Sequence, residues 1–119
     1  MSKLENVEPD RFKGIIIDDM SLLPESEAEF NTALKKLIPA WKENGVRSVQ
    51  ISFKPPKCHL MNAAFNHGFY LHHAHAKDSY ILMCKWLDDS VPDRFPSFAN
   101  HAMGVGGIVV NDNNEVLLI

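Results

Sequence analysis

The sequence predicts an α/β fold, a sheet covered by helices with elements in the order β-α-β-α-β-β, followed by a separate hairpin. Three observations carry that expectation. Apolar residues recur with a period of two in some segments and of 3.6 in another. Gly, Pro and Asn punctuate the chain between those segments. The 119 residues suffice for one modest core but not for two complete domains.

Residues 14–18, Gly-Ile-Ile-Ile-Asp, form a β-branched run that reads as a buried strand. Ser26 and Glu29 have capping-box spacing, so a helix is expected to start there. Phe30, Leu34, Leu37, Ile38 and Trp41 then fall within about 100° of arc at a helical period. Asn31, Thr32, Lys35, Lys36 and Lys42 lie opposite. This helix should close near Asn44 and Gly45, where Gly accepts the left-handed conformation. Pro39 removes the bond back to Lys35. Because it sits away from the apolar stripe, a solvent-side bend is the cheaper outcome, and a break into two helices the other.

Residues 48–53 alternate polar and apolar side chains and read as a second strand, ended by Lys54-Pro-Pro-Lys57. Residues 59–66 read as a short helix with Leu60, Ala63 and Ala64 inward and Gly68 beyond its end. Residues 69–75 and 80–87 follow as strands joined through 76–79, and then a loop carries Pro92 and Pro96. Simple alternation puts His73 and His75 on one face with Phe69 and Leu71. It puts His72 on the other face with Tyr70 and Ala74. Residues 108–110 and 115–119, around the turn Asn111-Asp-Asn-Asn114, compose a hairpin that ends on Leu-Leu-Ile. We therefore expect a first domain over 1–100 and the opening strands of a second over 101–119.

Hydrophobic residues at 45% and charged residues at 23% describe an ordinary globular chain rather than a disordered one. Twelve basic against fifteen acidic side chains leave a net charge of −3, with no basic patch or Arg/Lys-rich helix. Nucleic acid is not an expected partner. The first 14 residues carry Glu5, Glu8, Asp10, Arg11 and Lys13 and no apolar stretch. No run approaches the ~18 apolar residues of a membrane span, so neither a signal peptide nor a membrane partner is expected. Cys58 and Cys84 have no C-x-x-C partner. Reduced thiols and a cytoplasmic setting are the expectation, with nuclear and mitochondrial addresses left open.

The histidines are the most conspicuous chemistry. His72, His73 and His75 lie together, with His59, His67 and His101 elsewhere. Two histidines on one strand face could ligate a metal, but zinc takes about four ligands and no thiolate or carboxylate pair accompanies them. The plainer reading is half-buried strand histidines bonded to backbone, and no metal site is expected. His101-Ala-Met-Gly-Val-Gly-Gly107 has the look of an oxyanion-cradling loop, comparable with an acyl-coenzyme A loop. That loop should open a helix, and here Ile-Val-Val follows instead. Glu25, Glu27 and Glu29 suit a helix dipole better than Mg²⁺. No Gly-x-Ser-x-Gly or cysteine-nucleophile signature occurs. No catalytic residue is therefore named.

Several strings follow one another in a specific order: Gly68-Phe-Tyr-Leu-His-His-Ala74, Trp86-Leu87, then Pro96-x-x-Ala99-x-His101-x-x-Gly104-Val-Gly-Gly107, and Glu115-Val-Leu117. In these the chain resembles the Nudix hydrolases that carry an extra N-terminal domain, vertebrate (Nudix motif 6 type) and plant ADP-ribose/NADH pyrophosphatases among them. The resemblance implies an N-terminal domain like part of an acetyltransferase fold, followed by the first hairpin of a Nudix domain. It implies catalysis by a Nudix box, Gly-x5-Glu-x7-Arg-Glu-U-x-Glu-Glu-x-Gly-U, whose glutamates hold Mg²⁺ (or Mn²⁺). No stretch of the chain matches that box, so no catalytic residue carries over and no cofactor is expected in these residues. The expected role is a non-catalytic domain for packing, oligomerisation or regulation, partnered by its own C-terminal Nudix domain and by a second copy as a homodimer. A stand-alone binding or self-association module and an acyl-coenzyme A-binding domain are the alternatives. His101, His72 and His73 are the candidates for substrate proximity.

Overall fold

The computed structural model describes residues 3–97 and 108–118. After a 3-10 turn at Lys3–Asn6, the elements are β1 (Gly14–Ile17), α1 (Glu27–Glu43), β2 (Ser48–Phe53), α2 (Met61–Asn66), β3 (Tyr70–His75) and β4 (Tyr80–Trp86). Two further strands, β5 (Ile108–Val110) and β6 (Val116–Leu118), form a hairpin. The main sheet has the order β1-β2-β4-β3, with β1 and β2 parallel and the other neighbours antiparallel. This is the α/β sheet with helical cover that the periodicities predict.

Helix α1 forms where the sequence places it because its signals are local. The Ser26 hydroxyl accepts from the Glu29 amide at 3.1 Å and donates to the Glu29 carboxylate, so the two ends of the capping box meet through side chains. Phe30, Leu34, Leu37 and Trp41 are buried. At the other end Gly45 has φ +80°, the Val46 amide reaches the Trp41 carbonyl at 2.9 Å, and the Gly45 amide reaches Lys42. That is a Schellman closure, with Val46 and Trp41 buried together. The helix runs unbroken through Pro39, which is exposed. Of the two expected outcomes, the break into two helices does not occur.

The core lies between the helices and one face of the sheet. Cross-strand partners share a face, so Ile17, Ile51 and Met83 form one buried row that Leu71 continues onto the exposed edge strand β3, and Phe53 and Ile81 lie in the next. Phe30 of α1 meets Phe53 edge-on, with centroids 6.2 Å apart. The burial of one element and the start of another differ from expectation. β1 is buried on one face only, since Ile16 is 48% exposed on the side away from the helices. The helix expected over 59–66 is α2 preceded by a 3-10 stretch, Pro55–Leu60, because prolines at its start favour a tight turn but leave few donors for α-helical bonds.

That 3-10 stretch holds a residue the sequence does not announce. Lys57 is 7% exposed, and its ammonium donates to the Leu23 and Pro24 carbonyls and to the Glu25 carboxylate. His59 accompanies it, with Nε2 donating to the Glu25 carbonyl at 2.7 Å. Together they fix the turn that leads into α1.

The β5–β6 hairpin pairs only with itself among the described residues. Its turn is organised by the Asn111 carboxamide oxygen, which accepts from the amides of Asn113 and Glu115. Asn114 takes the left-handed conformation there.

Candidate functional site

Strict alternation along β3 would separate His72 from His73, and the structure does otherwise. The register between β3 and β4 runs Leu71 to Met83 and then His73 to Leu82, so His72 is an extra residue, a β-bulge. The bulge corrects the sequence expectation. One inserted residue reverses the parity of everything before it, so Tyr70 shares the outer face with His73 and His75, and Leu71 and Ala74 share the inner one. His72 does not point away from His73 either. Their Nδ1 atoms are 2.7 Å apart and their rings meet edge-on at 5.0 Å.

With both rings neutral, the Pro96 carbonyl orders the hydrogens along these contacts. The Pro96 carbonyl can only accept, so His72 Nε2, 2.6 Å away, carries its hydrogen. In the neutral ring His72 Nδ1 is then an acceptor and takes the hydrogen of His73 Nδ1. His73 Nε2 is left to accept from the Tyr80 hydroxyl at 3.3 Å. His75 stacks flat on Tyr80, its ring centroid 5.3 Å away, and its Nδ1 accepts from the Asp78 amide. Over the same face lie residues 91–97. There Asp93 accepts from the Tyr70 hydroxyl at 2.7 Å, and Phe95 sits edge-on to Trp86 and His72.

Burial, then the neighbouring His72 and His75, holds His73 below its ordinary pKa of 6.5. Hydrogen bonds from Ser21 lower Asp19, the bond and charge of Lys57 lower Glu25, and bonds from Ser90 and then Arg47 lower Asp88. In each case the unfolded chain binds protons that the folded chain refuses. Stability is therefore full above the unfolded pKa and is lost as pH falls. Thermal melts should show a plateau between about pH 7 and 8, a first decline on acidification beginning near the histidine value of 6.5, and a second below the ordinary carboxylate values of 4.5 and 3.8. His73→Gln should shrink the first decline and leave the second. A melt profile flat from pH 7 to 5 would contradict the placement of His73.

His72 and His73 are thus brought together, while His101 lies outside the described residues, as does the boundary expected at 100/101. Among the described residues no three His, Cys, Asp or Glu side chains converge as a metal seat. These residues do not fit the Mg²⁺ (or Mn²⁺) that the resemblance implies. The segment after Gly107 is strand β5, not the helix that an acyl-coenzyme A loop requires. A groove of about 670 Å³ also opens between the N-terminal 3-10 turn and α1, but its charges face one another, with Lys36 on Glu5 at 3.0 Å.

A family model described as the Nudix hydrolase domain matches residues 6–87, most of the α/β unit. The chain belongs to the Nudix hydrolase family. Nudix hydrolase 8 of Arabidopsis thaliana is 30% identical over 110 residues, which are 92% of this chain and 29% of the relative. Nudix hydrolase 5 of the same plant is 30% identical over 112 residues, 94% of this chain and 36% of that protein. Human nucleoside diphosphate-linked moiety X motif 6 is 28% identical over 117 residues, 94% of this chain and 35% of the relative. This Nudix family chain thus spans about a third of the length of the curated relatives it matches. No described helix of it is long and apolar enough to cross a membrane.

Proposed function

We propose that this chain serves as the non-catalytic N-terminal domain of a Nudix pyrophosphohydrolase that acts on nucleoside diphosphate derivatives of the ADP-ribose or NADH class with Mg²⁺. One observation carries the reading. The family match covers residues 6–87, yet neither that span nor the rest of the 119 residues contains the glutamate pattern of a Nudix box. In this reading residues 1–100 form a domain related to part of an acetyltransferase fold, and 101–119 open the catalytic sheet. The exposed apolar residues of β5 and β6, Ile108 at 65% among them, support that assignment because a hairpin apolar on both faces suits the interior of a larger sheet. The domain then contributes packing, oligomerisation or regulation in a cytoplasmic enzyme, with its own Nudix domain as principal partner.

The pure 119-residue chain should release no AMP from ADP-ribose or NADH at millimolar Mg²⁺, and the same chain continued into a Nudix catalytic domain should. Turnover by the short chain alone would overturn the reading.

A further inference from the structure

Cys84 is fully shielded, although it lies outside the helix-covered core. Its register partners are Gln50 and Tyr70 on the outer face, where no helix packs. The cover on that side includes residues 91–97. Tyr70, the register partner of Cys84, donates its hydroxyl to Asp93 at 2.7 Å, which holds this segment beside the thiol, and burial, then the charge of Asp93, pushes that thiol up to about 11.

The attachment of 91–97 is unusual for a buried boundary. Pro92 and Pro96 have no amide hydrogen to enter a ladder, and no backbone bond joins the segment to the sheet among the described residues. It is fastened instead by side chains of β3 and β4. The Trp86 indole donates to the carbonyls of Asp88 and Val91 at 2.9 and 3.1 Å. The Tyr70 hydroxyl donates to Asp93, and His72 donates to the Pro96 carbonyl. Phe95 adds an aromatic edge against Trp86. Pro92, Asp93, Arg94 and Pro96 are exposed.

We propose that residues 91–97 are a detachable strap, which seals the outer face of β3–β4 and lifts from it without unfolding the sheet. A segment held by a few side-chain bonds and the edge of one aromatic ring, with no ladder bond to break, opens at a fraction of the global free energy. The β2–β4–β3 ladder does not depend on it, since every bond of that ladder lies between the strands themselves. Lifting uncovers Cys84 and Trp86 and frees the Tyr70 hydroxyl from Asp93.

The test is thiol labelling of Cys84 in a Cys58→Ser background, at urea concentrations below the unfolding transition. Labelling should be nearly independent of urea there. Asp93→Ala, at an exposed position, should speed it by roughly tenfold with little change in the urea midpoint, and Tyr70→Phe should act in the same direction. Two results would overturn the proposal. One is labelling that rises with urea along the slope of global unfolding. The other is a rate that neither variant changes.

Discussion

Phe30→Ala should lower the free energy of unfolding by about 3–5 kcal/mol, the range for truncating a buried aromatic side chain. Phe30 has no exposed surface and stands edge-on to Phe53 of β2, so it links α1 to the sheet at the centre of the core. An aromatic pair of this kind adds about 0.5–1.5 kcal/mol beyond the area it buries. Removing the ring leaves a cavity lined by two rigid elements that cannot close on it. Domains of this size are stable by about 5–15 kcal/mol, so the variant should sit near the edge of folding. Urea denaturation followed by circular dichroism should show a much lower midpoint with an unchanged slope. Lys35→Ala, exposed on the same helix, provides the control and should stay within about 0.5 kcal/mol. A Phe30→Ala midpoint equal to that of the control would contradict the packing of α1.

Lys57→Met should cost about 1–3 kcal/mol, although a methionine fills nearly the same space. The lysine stem is buried and would be replaced by an apolar one, so packing alone predicts little change. The loss comes from the head group. It satisfies the Leu23 and Pro24 carbonyls, at 3.0 and 3.1 Å, in a turn that then has no donor for them. Its third partner, Glu25, is 88% exposed and returns to water when the lysine goes. The larger penalty for stranding a buried charge therefore does not apply. For the same reason Glu25→Gln should cost well under 1 kcal/mol. Equal losses from Lys57→Met and Glu25→Gln would show that the ion pair, rather than the carbonyls, is what the lysine serves.

Much of the fold was legible because its signals are local. A capping serine, a 3.6-residue apolar stripe and a closing glycine lie within one stretch of chain and specify α1 through bonds between near neighbours. Alternation specified β2 to the residue, since one of its faces is buried along its whole length. The order of elements, the hairpin joining β3 to β4 and the family resemblance also came from the sequence.

The candidate site was less legible, and His72 and His73 show why. That both are conspicuous is a property of the sequence. That they meet depends on how β3 registers against β4, where one extra residue is accommodated as a bulge and the parity of the strand is reversed. No signal within residues 70–75 marks that insertion, because it concerns a count of residues on two strands at once. The burial of Lys57 is decided in the same way, by carbonyls more than thirty residues earlier in the chain. The fastening of 91–97 over Cys84 likewise depends on Tyr70, His72 and Trp86, which only the assembled sheet places on one face. The sequence by itself determined the family, helix α1, the order of the elements and the absence of a Nudix box from these residues. Tertiary structure decided which side chains face one another, because register and burial are set by contacts between segments that are distant along the chain.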